Sequence, residues 1–392
     1  MTFDGSSIQG YERIKESDMV LFPHPETARI LPFPVGPSRT IAMFAEVRNP
    51  KTGDVYKDDT RHILKRNLEA MVKEGFSHMN IGPEAEFFYF QREGSTELTD
   101  HASYFSGDDA GAPIRVLTVM ALEAMRLKVE YHHHEVAPSQ HEIDLKYDKA
   151  LEMADTLQIY KLIVKDVARR CGVHATFMPK PLADENGSGM HVHLSLFKGD
   201  KNAFYEREGP YNLSKTAQSF MEGVLQHAPG IVLVTNPQYN SYKRLAPGFE
   251  APVYLAWAWR NRSALIRIPD NKQGNEQATR FEARFPDPTA NPYLTFAVLL
   301  RAGLDGVKRG TTLRQETKED LYKLDAADRE RRGIPSLPHD LYAAIQEAKK
   351  SPILDAALGE TLKKKLIDLK LREVDAYRLA VTPLELANGL KL

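Results

Sequence analysis

Met79-Asn-Ile-Gly-Pro-Glu-Ala-Glu-Phe-Phe-Tyr-Phe90 has the apolar and aromatic bias of a buried strand, yet Glu84 and Glu86 stand in its middle. Side chains alternate faces along a strand, so both carboxylates point one way while Ala85 and Phe87 point the other. Two neighbouring buried carboxylates are costly unless cations or strong donors meet them. The remainder of the chain must supply what meets them.

Four further strand-like segments carry ionisable residues in their interiors: Glu135 and Glu142 on either side of a Pro-Ser turn, His191 with His193, and Glu282 with Arg284. In the paired cases the spacing is two, which keeps both side chains on one face. If these strands are neighbours in an antiparallel sheet, one face is a funnel of carboxylate and imidazole while Phe87, Ile143, Val192 and Phe281 enter a core. Carboxylates with one imidazole suit Mg²⁺ or Mn²⁺ better than zinc. Arg244, Arg262, Arg267 and Arg284 lie in apolar or turn sequence and either neutralise the glutamates or grip phosphate. Asn186-Gly-Ser-Gly189 is read as a turn whose glycines allow positive φ and close approach of a ligand. Strand alternation splits His132, His133 and His134 between faces, where they orient neighbouring carboxylates. Metals, arginines and a glycine turn together point to phosphoryl transfer, without a P-loop motif.

Lys+Arg number 52 against 53 Asp+Glu, which gives no electrostatic case for nucleic acid or an anionic membrane as partner. The single cysteine, Cys171, excludes an intramolecular disulfide and a thiolate-rich zinc site, and is expected to pack at the end of a helix. No apolar run approaches a membrane helix and the N-terminus lacks a basic-then-apolar signal, so a cytoplasmic location is expected.

Short strands are expected around 20–22, 29–33 and 40–47, with a turn at Asn49 to Asp54. A helix is expected from Thr60 to Glu74, burying Ile63, Leu64, Leu68, Met71 and Val72 and capped by Gly75. Residues 1–55 are assigned to a small N-terminal domain that begins as if inside a fold, and 56–392 to the main domain. Further helices are expected near 113–128, 149–171 and 212–228, the last ended by Pro229. Residues 240–252 read as a loop and 253–269 as strand-like, and a helix starts at Asn291-Pro292. The chain beyond Lys318 is charged and helix-rich.

Phe3-Asp-Gly-Ser-Ser-Ile8, Glu16-Ser-Asp-Met19, Gly82-Pro-Glu-Ala-Glu-Phe-Phe88, His133-His-Glu-Val-Ala-Pro138, Gln140-His-Glu-Ile-Asp144, Asn186-Gly-Ser-Gly-Met-His191, Asn240-Ser-Tyr-Lys-Arg-Leu245, Pro247-Gly-Phe-Glu-Ala-Pro252, Arg260-Asn-Arg-Ser263 and Asn291-Pro-Tyr-Leu294 follow one another in order. Together they resemble glutamine synthetase of the bacterial and archaeal type I class. The resemblance implies an α+β fold: a β-grasp-like N-terminal domain, here lacking its first strands, and a catalytic domain built on a curved antiparallel sheet flanked by helices. It implies ATP-dependent ligation of ammonia to L-glutamate through γ-glutamyl phosphate, with two or more Mg²⁺ or Mn²⁺ ions and ATP as co-substrate.

By the same resemblance, Glu86, Glu135 and Glu142 hold one metal and Glu84, His191 and Glu282 the other. Glutamate lies near Asn186, Gly187 and Arg244, while Arg262 and Arg284 flank the transferring phosphate. Glu130, His193, Ser195 and Arg267 face the nucleotide. Glu250 sits on a flap, Asp4 comes from an adjacent subunit to bind and deprotonate ammonium, and Ser7 and Tyr104 border that pocket. The implied assembly is two stacked hexameric rings with sites at subunit interfaces. The C-terminal segment 381–392 resembles a ring-locking helix without its usual aromatics, and Leu-Tyr-Lys-Leu-Asp around Tyr322 matches the subclass lacking an adenylylation site. The rival readings are a γ-glutamyl-polyamine or other amine ligase of the same superfamily, and a non-catalytic structural relative.

Overall fold

In the computed structural model, which describes residues 2–4, 18–34, 36–105, 107–270 and 275–390, the N-terminal segment pairs into two small sheets. Strand β1 (Thr2–Asp4) lies antiparallel to β2 (Asp18–Pro23), β3 (Arg29–Ile30) pairs with β4 (Ile41–Ala42), and β5 (Ala45–Arg48) covers the other edge of β2. The Asn49 turn closes through Gly53 N–H donating to Asn49 O at 2.9 Å, with Gly53 at φ 76°. Helix α1 (Thr60–Lys73) starts where the Asp59 carboxylate accepts from His62 N–H and buries Ile63, Leu64 and Met71. Val72, expected on that face, is instead exposed.

Burial alternates along β6 (His78–Ala85), with Met79, Ile81, Pro83 and Ala85 inside. The chain then breaks at Glu86 and resumes as β7 (Phe87–Phe90) in a different sheet. The run 79–90 is thus one strand in sequence and two in space. Helix α2 (Ala112–Ala124) ends earlier than expected, because Arg126 at φ 62° turns the chain into β8 (Val129–His134). There follow β9 (Gln140–Leu145), β10 (Asp148–Lys149), α3 (Ala150–Arg170), β11 (His174–Thr176), β12 (Met190–Lys198) and β13 (Lys201–Asn202). Cys171 caps α3 and is exposed, contrary to its expected packing.

Helix α4 (Lys215–Thr235) runs straight through Pro229, so the expectation that this proline ends it fails. A helix-interior proline costs about 3 kcal/mol. Buried Phe220, Met221, Val224, Leu225, Ile231, Val232 and Leu233 on both sides of it outweigh that cost. The 240–252 loop contains one helical turn, α5 (Ser241–Arg244). Short strands β14 (Trp257–Trp259), β15 (Ile266–Ile268) and β16 (Phe281–Ala283) precede α6 (Pro292–Arg309), which is capped by Asn291 and closed by Gly310 at φ 61°. Helices α7 (Ala326–Arg331), α8 (Leu341–Lys350), α9 (Pro352–Leu358), α10 (Glu360–Leu379) and α11 (Pro383–Gly389) complete the chain.

The larger sheet has the order β10-β6-β12-β16-β15-β14, with β13 hairpinned onto β12, and the smaller one β11-β7-β9-β8. Where one antiparallel sheet was expected there are two, and β14 and β15 run parallel. One face of each carries the ionisable side chains. Phe87, Ile143, Val192 and Phe281 sit on the opposite, apolar side with 0–1 % exposure. That side packs on helices, and Phe204, Phe220 and Phe281 form a ring cluster with centroids 5.4–5.9 Å apart. Helices α4 and α6 approach so closely that a Cβ on Gly223 would strike Ala302 O and one on Gly306 would strike Ser219 O.

Candidate active site

Register places the site. Along β6 and β12, Glu84 stands opposite His191 and Gly82 opposite His193; across the next two pairs His193 faces Glu282 and Glu282 faces Arg267. The His191 ring sits among three carboxylates, with Nδ1 3.2 Å from Glu84 Oε2 and 3.6 Å from Glu282 Oε1, and Nε2 3.9 Å from Glu86 Oε1. Burial, followed by Arg284, lowers its pKa to about 4, so the ring is neutral and keeps a lone pair. His193 is differently used. Arg280 Nε donates to its Nδ1 at 3.2 Å, which leaves the proton on Nε2 to be donated to Glu84 Oε1 at 2.6 Å. Glu84, His193 and Glu282 form a compact triad. The tautomer nonetheless makes His193 a donor to Glu84, whereas His191 is the imidazole with capacity to ligate.

Glu282 is fully buried and answered by Arg284 Nη1 at 2.6 Å and by Arg267 Nε. Burial alone would raise its pKa, but Arg284 and the two histidines hold it below the usual carboxylate value. Glu84 is also held well below that value, His193 and His191 outweighing its burial.

Among the described residues the second group makes no direct ion pair with an arginine, although Arg244 and Arg284 lie near enough to oppose the upward shift of Glu86. Glu86, at the break between the sheets, accepts from Gly189 N–H at 2.8 Å and from Gln140 Nε2 at 3.0 Å. Burial, then Glu135, pushes its pKa up to about 8. Glu142 is pushed well above its usual value by burial, then by Asp144 and Glu84. Glu135 accepts from His133 Nε2 at 2.9 Å, which outweighs its burial and lowers it. Crowded carboxylates without a matching positive charge fit a divalent cation, and the all-oxygen donor set is that of Mg²⁺ or Mn²⁺.

Asp100, His134 and His141 also lie close enough to suggest a metal, but they do not fit one. Arg115 Nη1 occupies His141 Nδ1 at 2.7 Å, and the remaining Nε2 abuts Gly111, where a Cβ would stand 2.6 Å away. His134 instead bridges Asp100 at 3.0 Å and Glu135 O at 2.6 Å.

Of the other expected residues, Asn186, Gly187, Arg244, Glu250, Arg262, Arg267, Arg284 and Tyr104 line the same 150 Å³ cavity as the carboxylates. Most of the Arg244 guanidinium is committed: it donates to Phe285 O at 2.9 Å, Pro286 O at 3.3 Å and Arg284 O at 3.1 Å. Arg262 and Glu250 are exposed at the mouth, Glu250 in a left-handed conformation (φ 54°). Glu130, His193 and Ser195 line an adjoining 300 Å³ cleft that shares Glu84 with the first cavity. Arg267 lines the carboxylate cavity rather than this cleft, because it is tied to Glu282. Gly187 and Gly189 are not at positive φ, so that expectation fails. They are glycine because a Cβ on Gly187 would strike Pro179 O, and one on Gly189 would lie 2.6 Å from Arg244 Nη2. The Asp4 side chain and Ser7 lie outside the described residues.

Gln140, Asp144 and Arg280 belong to the site and have no role in the sequence reading. The signal was present: Gln140, Glu142 and Asp144 share one strand face at a spacing of two, as do Arg280, Glu282 and Arg284.

The family model for "Glutamine synthetase, catalytic domain" matches residues 57–388 and that for "Glutamine synthetase, beta-Grasp domain" residues 1–50. The chain belongs to the glutamine synthetase family. It is 46% identical over 396 residues to glutamine synthetase of Methanosarcina mazei and 44% identical over 397 residues to that of Staphylococcus aureus, in each case across 100% of this chain and 88% of the relative. Among solved structures, a GmaS/ADP complex superposes with a TM-score of 0.89 at 31% identity, covering 100% of this chain and 90% of that one. Plasmodium falciparum glutamine synthetase superposes with a TM-score of 0.87 at 28% identity, over 99% and 89% respectively. The chain is therefore an enzyme of the glutamine synthetase family, α+β in fold, with a β-grasp-like domain before a sheet-based catalytic domain. Among the described residues no helix is long and apolar enough to cross a membrane.

Proposed function

We propose that the enzyme joins ammonia to the γ-carboxylate of L-glutamate, consuming ATP and passing through γ-glutamyl phosphate. The observation that carries this reading is the meeting of two cavities at Glu84 and Tyr131: one lined by carboxylates and arginines, the other a cleft lined by Glu130, His193, Ser195 and Arg280. Glu86, Glu135 and Glu142 would hold one divalent cation and Glu84, His191 and Glu282 another. Bound there, the cations would neutralise phosphate and carboxylate oxygens.

Glu130 and Ser195 line the cleft that takes ATP, with His193 steadying Glu84 between the two substrates. Asn186, Gly187 and Arg244 position glutamate, Arg244 chiefly by bracing the backbone at 284–286. In the first step a γ-carboxylate oxygen attacks the γ-phosphorus and the bond to ADP breaks. Arg284 and Arg262 offset the negative charge that gathers around the transferring group. In the second step ammonium gives up a proton to Asp4 of an adjacent copy or to Glu250. Ammonia then forms the C–N bond and phosphate leaves with the carboxylate oxygen it acquired. Glu250 and its neighbours over the mouth keep water from the acyl phosphate. The enzyme would act as a homo-oligomer of two stacked hexameric rings. Exposed Leu379, Val381, Leu384 and Leu390 at the C-terminus support association of copies.

The acyl-phosphate step is tested with glutamate labelled with ¹⁸O in the γ-carboxylate. The expected result is one labelled oxygen in the phosphate released with each glutamine. Unlabelled phosphate would exclude the intermediate.

A further inference from the structure

A cavity of about 640 Å³ lies apart from the two substrate cavities, walled by α3, by the chain at 176–179 and 238–240, by the start of α6 and by α10. Lys161 and Lys165, one turn apart on α3, line it together. Lys161 Nζ donates to Ala290 O at 3.3 Å and to nothing else among the described residues, although an ammonium has three donors. Lys165 Nζ lies 5.8 Å from the centre of the Phe177 ring and forms no ion pair among the described residues. Burial, with Lys165 repelling it, draws the Lys161 pKa down to about 8, which leaves it charged at neutral pH.

The carboxylates nearby are already engaged. Asp287, which favours the Lys161 charge from a distance, accepts from Thr289 N–H at 2.9 Å and from Asn236 Nδ2 at 3.1 Å. Glu373, on the α10 wall, accepts from Tyr239 N–H and from Lys370 Nζ, each at 2.7 Å. Two neighbouring cations without a counter-charge are costly, and an anion between them removes that cost. Ammonium groups act as point charges on a tetrahedral phosphate and lack the planar fork that pairs with a carboxylate. Aromatic rings supply the rest of the wall: Tyr239 and Tyr377 stack with centroids 3.9 Å apart, and Phe177 lies under Lys165. The site thus offers charge for a phosphate and a ring surface for an organic group.

The cavity also reaches the glutamate side of the active site from behind. Pro179 O, on its wall, accepts from Ser188 N–H at 2.8 Å and is the atom that a Cβ on Gly187 would strike. Asn240, beside it, exchanges two hydrogen bonds with the Lys180 backbone, at 2.7 and 3.0 Å, and precedes the helical turn that carries Arg244.

We propose that this cavity is an effector site for a small phosphate monoester, held by Lys161 and Lys165, and that its occupant acts on glutamate binding through Pro179 and Asn240. The binding stands by itself; the coupling rests on the placement of glutamate proposed above.

Phenyl phosphate serves as the probe, titrated calorimetrically into the enzyme saturated with ADP, Mg²⁺ and glutamate so that the substrate cavities are filled. One molecule per chain is expected to bind, and Lys161→Met and Lys165→Met should each weaken it by about tenfold or more. Lys161→Met relieves a buried repulsion and should stay folded. No binding to wild type, or equal binding by both variants, would overturn the site; a loss of thermal stability in Lys161→Met with binding unchanged would mean that the lysine only braces Ala290. Inorganic phosphate should bind more weakly, and equal affinity would overturn the role of the aromatic wall. In steady-state assays phenyl phosphate should shift the KM for glutamate by roughly twofold or more in wild type and not in Lys161→Met. Binding without that shift would overturn the coupling alone, and a rise in the KM for ATP in its place would put the probe in the nucleotide cleft and overturn the proposal. The binding measurement needs no turnover, so its outcome is independent of which amine the enzyme uses.

Discussion

Glu84 accepts from His193 at 2.6 Å and lies 3.2 Å from His191, so its oxygens are already met within the protein itself. Glu84→Gln should therefore leave stability within about 1 kcal/mol of wild type. It should weaken Mn²⁺ binding in the presence of ATP by at least tenfold, as read by calorimetry; unchanged affinity would remove Glu84 from the cation site. Lys161 is a contrasting case. Its Nζ donates only to Ala290 O at 3.3 Å, and burial lowers its pKa from 10.5 to about 8. Between pH 8 and 10.5 the unfolded chain holds this proton and the folded chain does not, so the Lys161 contribution to stability rises with pH across that window and is least favourable below it. Lys161→Met should accordingly raise stability at pH 7 by about 1–3 kcal/mol and show a smaller advantage at pH 10. Thermal melts at the two pH values check this. An equal advantage at both would mean that the Lys161 proton is not shifted.

At the scale of elements, the crossing of α4 and α6 depends on two missing side chains. A Cβ on Gly306 would meet Ser219 O and the Gly223 backbone, neither of which is a flexible side-chain end. Gly306→Ala should destabilise the enzyme by about 1–3 kcal/mol despite the better helix propensity of alanine; a denaturant midpoint at or above wild type would contradict this. The same scale shows what was legible beforehand. The helix start at Asn291-Pro292 and the shared face of Glu135 and Glu142 could be read because capping and strand alternation are local rules. The passage of α4 through Pro229 and the break at Glu86 could not, because burial of distant side chains and competition between two sheets decide them. At the site, the glutamates stood out as charges in apolar strands. Asp144 and Arg280 follow the same period of two but lie beside other polar residues, and only the pairing of β9 with β8 and of β16 with β12 shows what stands around them.

For the whole molecule, near-neutral net charge leaves association to apolar surface. Leu379, Val381, Leu384 and Leu390 are 69–80 % exposed along the last two helices, and Phe22, Ile30, Ile41 and Met43 44–60 % exposed on the N-terminal sheets. These two clusters are candidate contacts between copies. Ending the chain at Leu379 should lower the number of copies per assembly without unfolding α1 to α9, as read by native mass spectrometry and circular dichroism. An unchanged number of copies would release the C-terminal helix from any part in assembly. The central claim is the choice of ammonia as acceptor. It is tested most directly by presenting the purified enzyme with ATP, Mg²⁺ and glutamate together with ammonium, methylamine or putrescine at equal concentrations, and identifying the products by mass. The account predicts glutamine as the dominant product, with one ADP and one phosphate for each; a γ-glutamyl derivative of putrescine or methylamine formed in preference to glutamine would contradict it.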